Sequence, residues 1–214
     1  LHLWNFIHSK IAKGKTVILI AVVNHEKGSP GKEGFKMAVA SKDDYIGSIG
    51  GGIMEYNIIK KSSDLIKENV SVNFIEKLFH NKKSSAVNSN KSGLICSGSQ
   101  TNFSISLDKK DLKLVKDIID FISAYKPGKL VFSNKGIKII KGKKNDSTYK
   151  FKFQSCNNWI YEETIGLKNS IYIVGGGHVG LALSKLMSEL DFLVKVYDDR
   201  KSLPLLNENK FAHK

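Results

Sequence analysis

The sequence has few of the residues that cross-link a fold or anchor it in a membrane. Two cysteines, Cys96 and Cys156, are too few for a disulfide framework and favour a reducing compartment. No apolar run approaches the roughly 18–20 residues that span a bilayer, and the strongest run, Thr16 to Val23, predicts a buried strand. No signal-peptide pattern is present at the start. We therefore expect a cytoplasmic globular protein without a membrane partner.

Arginine is almost missing as well. Arg200 is the single arginine among 34 Lys and Arg residues, although the formal net charge is +14. Proteins that read nucleic acids favour arginine, because its guanidinium makes bidentate contacts with base edges and phosphates. The lysines are scattered rather than gathered in a stripe. The sequence therefore predicts no nucleic-acid partner despite its charge.

From residue 170 onward the sequence has the pattern of a dinucleotide-binding βαβ unit. A buried strand ends in the loop IVGGGHVG, and a helix and a second strand ending in an acid follow. Glycines in such a loop allow a tight turn, close approach of a pyrophosphate and close packing of the helix on the strand. The acid suits a ribose hydroxyl of NAD(H), whereas Arg200 beside it suits the 2′-phosphate of NADP(H). The residues expected to bind the nucleotide are Gly175, Gly177, His178, Gly180 and Asp198.

We expect this Rossmann-like unit to be truncated, since Lys214 precedes the further helices and strands of a complete Rossmann fold. A Rossmann-like unit that binds no nucleotide also stays open. An unfinished sheet edge favours a homodimer. The predicted fold class is α/β, with an N-terminal mixed α/β domain over residues 1–153, a linker over 154–168 and a partial Rossmann-like domain over 169–214.

A second glycine-rich loop lies in the first domain, in the stretch GSIGGGIMEYN from Gly47 to Asn57. It leads into a predicted amphipathic helix, Ile53 to Glu68, but fits neither a Walker loop nor a dinucleotide loop. Three consecutive glycines at a helix start would form a nest of backbone amides for an anion. Ser48 would add a hydroxyl donor. Glu55 either caps these amides or binds donors of a ligand.

Cys96 lies in the stretch GLICSGSQ, between Gly93 and Gly98. A lone cysteine is usually a buried and inert side chain. A glycine-flanked turn instead favours an accessible thiolate near backbone amides. Both interpretations stay open for Cys96, whereas Cys156 has no such context and is expected to be buried.

Together these motifs resemble those of the XdhC/CoxI family, the xanthine dehydrogenase accessory factors. GSIGGGIME is similar to the family motif G-[ST]-[IV]-G-G-G-x-x-E. GSPGKEGFKM is similar to its G-S-x-P-x-x-x-G-x-x-M segment, with one residue fewer between Ser29 and Pro30. GLICSG is similar to its G-x-x-C-G-G, with Ser97 in place of a glycine. The stretch from IVGGGHVG to VYDDR resembles the family's C-terminal Rossmann domain. The matching positions in the first domain are Gly28, Ser29, Pro30, Gly34, Met37, Gly47, Gly50, Gly51, Gly52, Glu55, Gly93, Cys96 and Gly98.

The resemblance implies a chaperone rather than an enzyme. It would bind molybdenum cofactor (molybdopterin), assist its sulfuration and help to insert it into a molybdenum hydroxylase of the xanthine dehydrogenase type. A cysteine desulfurase would be a further partner and NAD(P) a second cofactor, and no separate metal site is expected. An amide-rich loop suits the phosphate of molybdopterin, and a cysteine suits its sulfur or metal centre. The residues expected to bind it are Gly28, Ser29, Gly47, Ser48, Gly50, Gly51, Gly52, Glu55 and Cys96.

Two other functions remain open. An NAD(P)-dependent oxidoreductase or a nucleotide-binding regulatory protein would use the Gly175 loop. However, at positions that would suggest hydride chemistry the sequence has neither a Tyr-x-x-x-Lys pair nor a His–acid set. A protein-interaction module would use both glycine loops only for their shape.

Overall fold

The computed structural model describes residues 1–80, 91–94, 96–142, 148–166, 169–190, 192–200 and 202–213. The chain divides into two compact units, Leu1–Gly166 and Leu167–Lys214. The helices are α1 (His2–Ala12), α2 (Gly52–Lys67), α3 (Leu112–Ser123), α4 (His178–Glu189) and α5 (Pro204–Glu208). The strands are β1 (Val17–His25), β2 (Lys36–Ser41), β3 (Asp44–Gly47), β4 (Asn73–Phe79), β5 (Ser99–Leu107), β6 (Gly128–Ser133), β7 (Gly136–Lys141), β8 (Tyr149–Ser155), β9 (Asn158–Ile165), β10 (Ser170–Val174) and β11 (Leu193–Tyr197).

The first unit is built on an antiparallel sheet with the strand order β3-β2-β1-β5-β4, which we call the first sheet. Strand β1 lies in its middle, and the first seven residues of β1 are all buried. A strand covered on both faces reads as a continuous apolar run rather than as an alternating one. This burial explains the uninterrupted run of β-branched and aliphatic residues that predicted the strand.

Two hydrophobic cores lie on the two faces of the first sheet. Ile18, Ile20 and Val22 of β1 pack on one face with Met54 and Ile58 of α2. The alternate residues of β1 pack on the other face with helices α1 and α3 and with a second sheet. The helix predicted from its apolar spacing is thus α2, and its buried stripe closes one side of the sheet.

The second sheet is antiparallel, with the strand order β7-β6-β9-β8, and it packs on the first sheet through aromatic rings. Phe103 of β5 is fully buried. Its ring centroid lies 4.7 Å from that of Phe132 and 5.7 Å from that of Trp159. Aromatic pairs at such distances add to the burial of their apolar area. This aromatic cluster therefore joins the two sheets.

Two expectations about the region before residue 169 are wrong. The predicted linker 154–168 contains strand β9, which pairs with β6 and β8 and buries Trp159 and Tyr161. Asn158, Ile160 and Glu162 alternate with these rings along the strand, and the polar residues among them give the segment the composition of a linker. Cys156 was expected to be buried, but it is exposed in the turn between β8 and β9.

The second unit contains the predicted βαβ arrangement. Strands β10 and β11 pair in parallel, and α4 connects them. A Cβ atom placed on Gly180 would overlap the carbonyl oxygen of Gly175, so this glycine lets the helix lie against the strand end. The predicted α/β fold class is confirmed by these elements. In the part of the chain that the structure describes, no helix is long and apolar enough to cross a membrane.

The aromatic cluster gives a test of the first unit. We expect Phe103→Ala to lower the free energy of unfolding by about 3–5 kcal/mol, because it leaves a cavity between the sheets. Ile140→Ala is the control, since this side chain is 50% exposed, and its effect should stay within about 0.5 kcal/mol. Urea unfolding measures both values. Equal effects would contradict the joining of the sheets through Phe103.

Candidate functional site

Three loops with glycine-rich motifs meet at one end of the first sheet. Loop A leaves the end of β1, loop B follows the end of β3, and loop C leads into the start of β5. Because β1 is antiparallel to both β2 and β5, and β3 is antiparallel to β2, these strand ends lie on the same side of the sheet. We define the three-loop cluster as loop A (residues 26–34), loop B (residues 47–52) and loop C (residues 91–98, without the undescribed residue 95).

The loops touch one another through their backbones. A Cβ atom on Gly50 of loop B would lie 2.7 Å from the amide nitrogen of Gly31 in loop A. A Cβ atom on Gly98 of loop C would lie 2.7 Å from the carbonyl oxygen of Lys27 in loop A. Both distances are shorter than real Cβ contacts, so these glycines allow the loops to pack closely. Gly28 is a further case, since Ser97 fills the space that its side chain would need.

A buried hydrogen-bond network ties the same loops together. Its centre is His80, a fully buried residue directly after β4. The Nε2 atom of His80 lies 2.9 Å from Ser29 Oγ in loop A, and its Nδ1 atom lies 2.8 Å from Ser92 Oγ in loop C. Gln100 of β5 connects loop B to this network, since its Nε2 atom donates to the carbonyl oxygen of Ile49 at 3.1 Å.

The hydrogen bonds assign the tautomer of His80. Because Gln100 donates through its nitrogen to Ile49, its oxygen faces Ser29 and accepts the Ser29 hydroxyl at 3.1 Å. The Ser29 oxygen must then accept from His80 Nε2–H. In the neutral ring, Nδ1 then accepts from the Ser92 hydroxyl. Burial lowers the pKa of His80 from its ordinary value, which agrees with this assignment.

Glu55 is a cap of loop B. Its Oε2 atom accepts from the Ser48 hydroxyl at 2.7 Å, from the Ile49 amide at 2.9 Å and from the Gly51 amide at 3.0 Å. Of the two alternatives open at the sequence level, the structure therefore supports capping. The amide nest predicted for an external anion holds the protein's own carboxylate instead.

The backbone of loop B explains its three glycines. Gly50, Gly51 and Gly52 have φ angles of +127°, +78° and +67°. Side-chain-bearing residues rarely adopt these angles, and three in a row require glycine. The glycines thus set the turn that aims the amides of loop B at Glu55.

Among the residues expected to bind molybdenum cofactor, the structure buries Ser29 and exposes several others. Ser29 is buried and bonded within the network, so it holds loop A in place rather than facing a ligand. Cys96 is exposed, as in the accessible alternative. In the described ranges of the chain, no group of three or more His, Cys, Asp or Glu residues is arranged to hold a metal ion. The exposed members of the set are Gly28, Gly47, Ser48, Gly52 and Cys96.

In the second unit, the acid expected to bind a ribose is already engaged. Asp198 accepts from the Gly176 amide at 2.6 Å and from two nitrogens of Arg200 at 2.8 Å. Arg200 first, and then the Gly176 amide, hold the pKa of the Asp198 carboxyl far below its ordinary value. His178, the first residue of α4, is exposed. A recess of about 600 Å³ is lined by Val174, Gly175, Tyr197, Asp198, Asp199 and Arg200.

Three residues of the network were missed from the sequence. His80, Ser92 and Gln100 lie outside the family motifs, and their partners in the network are between 12 and 71 residues away in the chain. The one local signal is the position of His80 directly after the apolar residues that end β4. That signal gives no partner, so the sequence could not reveal the network.

The cap of loop B is tested by Glu55→Gln. We expect it to lower the free energy of unfolding by about 1–3 kcal/mol, because hydrogen bonds from three donors lose a charged acceptor. Amide exchange at Ile49 and Gly51 should become faster. Glu68→Gln at the exposed C-terminal end of α2 is the control and should change stability by less than about 0.5 kcal/mol. Unchanged exchange in Glu55→Gln would contradict the cap.

The buried histidine predicts a pH dependence of stability. The pKa of His80 is lower in the folded than in the unfolded chain, so the unfolded chain binds more protons below about pH 6.5. Stability should therefore fall as the pH drops below about 6.5, by at most about 1.4 kcal/mol per pH unit from this group. Urea midpoints at pH 7.5 and 5.5 measure it. His80→Gln should reduce the difference, and His2→Gln, an exposed control, should keep it.

Comparison with known proteins places this geometry among related folds. A crystal structure from Bacillus halodurans, described as that of a xanthine dehydrogenase, is similar with a TM-score of 0.64 and 16% sequence identity. The match covers 98% of this chain and 65% of that chain, so this chain spans 65% of its length. None of the curated proteins matches the chain.

The family comparison concerns the segment that carries loops A and B. Residues 11–76 match the model of the XdhC and CoxI family. This segment runs from the end of α1 to β4 and includes the Glu55 cap, whereas loop C lies beyond it. The resemblance predicted from the motifs is thereby confirmed: residues 11–76 of this chain match the XdhC and CoxI family.

Proposed function

We propose that this protein is an accessory factor of a molybdenum hydroxylase of the xanthine dehydrogenase type, and that it binds molybdenum cofactor at the three-loop cluster. One observation carries the proposal. The three segments that resemble family motifs, residues 28–37, 47–55 and 93–98, are separate in the sequence, yet they meet at one end of the first sheet. The family match of residues 11–76 supports the accessory function.

The phosphate of the cofactor does not fit loop B as a free cradle, because Glu55 occupies the amides of Ile49 and Gly51. The first turn of α2 fits better. The first amides of a helix have no intrahelical partners, and the helix dipole favours an anion there. Gly52, the first residue of α2, is exposed, and the space beside Gly51 is open. We therefore place the phosphate at the first turn of α2.

Cys96 is the proposed contact for the other end of the cofactor. Its thiol is exposed in loop C, and loop C touches the start of α2, since Leu94 Cδ2 lies 3.0 Å from the Cβ position of Gly52. When bound, the cofactor supplies a dithiolene-held molybdenum centre, and a thiolate is a soft ligand or sulfur carrier for such a centre. The His80 network would keep Cys96 at a fixed place relative to α2.

A nucleotide-binding regulatory protein is the second candidate. It is favoured by the βαβ unit and by the recess beside Gly175. A ribose would have to compete with Arg200 and with the Gly176 amide for Asp198. The homodimer, the cysteine desulfurase partner, the cytoplasmic location and NAD(P) as a cofactor stay predictions.

Co-purification tests the first proposal. The full chain is expressed in a host that makes molybdopterin and is purified without oxygen, and its cofactor is measured by fluorescence after oxidation. We expect bound molybdopterin, with at least a fivefold loss in Cys96→Ser and no loss in Cys156→Ser, the second exposed cysteine. Folded wild-type protein that carries no cofactor would contradict the proposal. Bound NAD(P) in the same samples would favour the second candidate.

A further inference from the structure

A groove opens where the two sheets of the first unit diverge beyond the Phe103 cluster. We call it the inter-sheet groove, and its volume is about 510 Å³. Strands β1, β4 and β5 of the first sheet form one wall, and β8 with the turn after it forms the other. The lining residues are Asn24, Ile75, Glu76, Lys77, Thr101, Phe151, Phe153 and Cys156.

The wall on the first sheet continues the face that carries Phe103. Thr101 is two residues from Phe103 along β5, so both side chains point to the same face. Across the strand pair, Thr101 lies opposite Lys77, and Phe103 lies opposite Ile75. The face that packs against the aromatic cluster therefore extends into the groove, where it becomes partly polar.

The wall on the second sheet is the edge of the aromatic core. Phe151 pairs with Tyr161 and Phe153 with Trp159, so both phenyl rings belong to the core-facing side. Trp159 and Tyr161 are almost fully buried, yet Phe153 is 52% exposed. An exposed phenyl ring at a core-facing position, inside a recess, is typical of a site that another molecule covers.

The charged groups in the groove are already paired. The ammonium of Lys77 lies 2.8 Å from Glu26 Oε1. Glu76, the residue before it, points to the other face of the strand, where its carboxylate lies 3.3 Å from Lys61 of α2. Binding of a charged ligand would gain little from these pairs. The remaining lining is apolar, apart from a thiol and two neutral polar side chains, so the groove suits an uncharged molecule.

The neutral polar side chains define the edge of that molecule. Asn24 uses its side-chain oxygen to accept from the amide of His25 at 3.0 Å, which leaves its NH₂ group as a donor. Thr101 adds a hydroxyl on the neighbouring strand. Opposite them lie the two phenyl rings, whose centroids are 6.3 Å apart. A flat ring with acceptor atoms on its edge would stack on the phenyl rings and accept hydrogen bonds from Asn24 and Thr101.

We propose that the inter-sheet groove binds a neutral, planar heteroaromatic molecule, a ligand site separate from the proposed contacts of the three-loop cluster. The volume lies within the range of small-molecule sites, about 300–1,000 Å³. Phe153 stacks on the ring, and Asn24 and Thr101 bind its edge. The groove lining shares no residue with the proposed contacts of the cofactor, so different variants test the two proposals and either can fail without the other.

Lumichrome, a neutral fluorescent tricyclic heteroaromatic, is the probe, and its binding to the full chain is measured by fluorescence anisotropy. We expect saturable binding that weakens about tenfold or more in Phe153→Ala, because an aromatic stacking contact is lost. Thr101→Val should weaken binding of lumichrome about fivefold and leave binding of naphthalene unchanged, because naphthalene has no acceptor edge. Ile160→Ala, on an exposed side chain of β9, is the control and should bind as the wild type does.

Cys156 gives a second readout at the groove wall. In a Cys96→Ser background, lumichrome should slow alkylation of Cys156 by iodoacetamide, and Phe153→Ala should abolish this protection. Urea midpoints confirm that each variant is folded. Unchanged affinity in folded Phe153→Ala, or no protection of Cys156 at saturating probe, would overturn the proposal. Binding of an extended apolar peptide, but not of lumichrome, would also overturn it and make the groove a protein-docking surface.

Discussion

The first unit depends on the burial of β1 on both of its faces. Seven consecutive residues of this strand are buried, so the chain must supply a cover for each side. Helix α2 covers one side, and α1, α3 and the second sheet cover the other. Apolar burial at about 25 cal/mol per Å² drives both contacts. Because the strand is fixed from both sides, the loops at its end are fixed as well.

The three-loop cluster shows how polar groups are satisfied without a ligand. The buried His80 has a partner at each ring nitrogen, and Glu55 has three donors. An unsatisfied buried polar group costs about 1–3 kcal/mol, so each member of such a network holds its neighbours in place. Loops A, B and C are thereby coupled through side chains that no ligand has to touch. The exposed start of α2 and Cys96 remain as the accessible surface.

The sequence predicted the features that depend on local periodicity and missed those that depend on distant contacts. The run in β1, the stripe of α2 and the glycine turn before α4 each have a local physical cause, and they were found. The composition of β9 predicts a linker instead, because polar residues flank its two buried rings. Ser29 was assigned to a ligand because it stands in a motif, but its partners His80 and Gln100 are 51 and 71 residues away. Such pairs form only in the folded chain.

The left-handed backbone of loop B has a consequence for how its motif should be interpreted. Each L side chain placed at Gly50, Gly51 or Gly52 would cost about 1–2 kcal/mol in backbone strain, whatever the loop binds. The three glycines thus encode a shape, and the glutamate one turn later encodes the group that fills it. A chain that had lost its ligand would still need these glycines and this glutamate to keep the start of α2. The motif therefore specifies a backbone shape, and ligand binding has to be tested at Cys96.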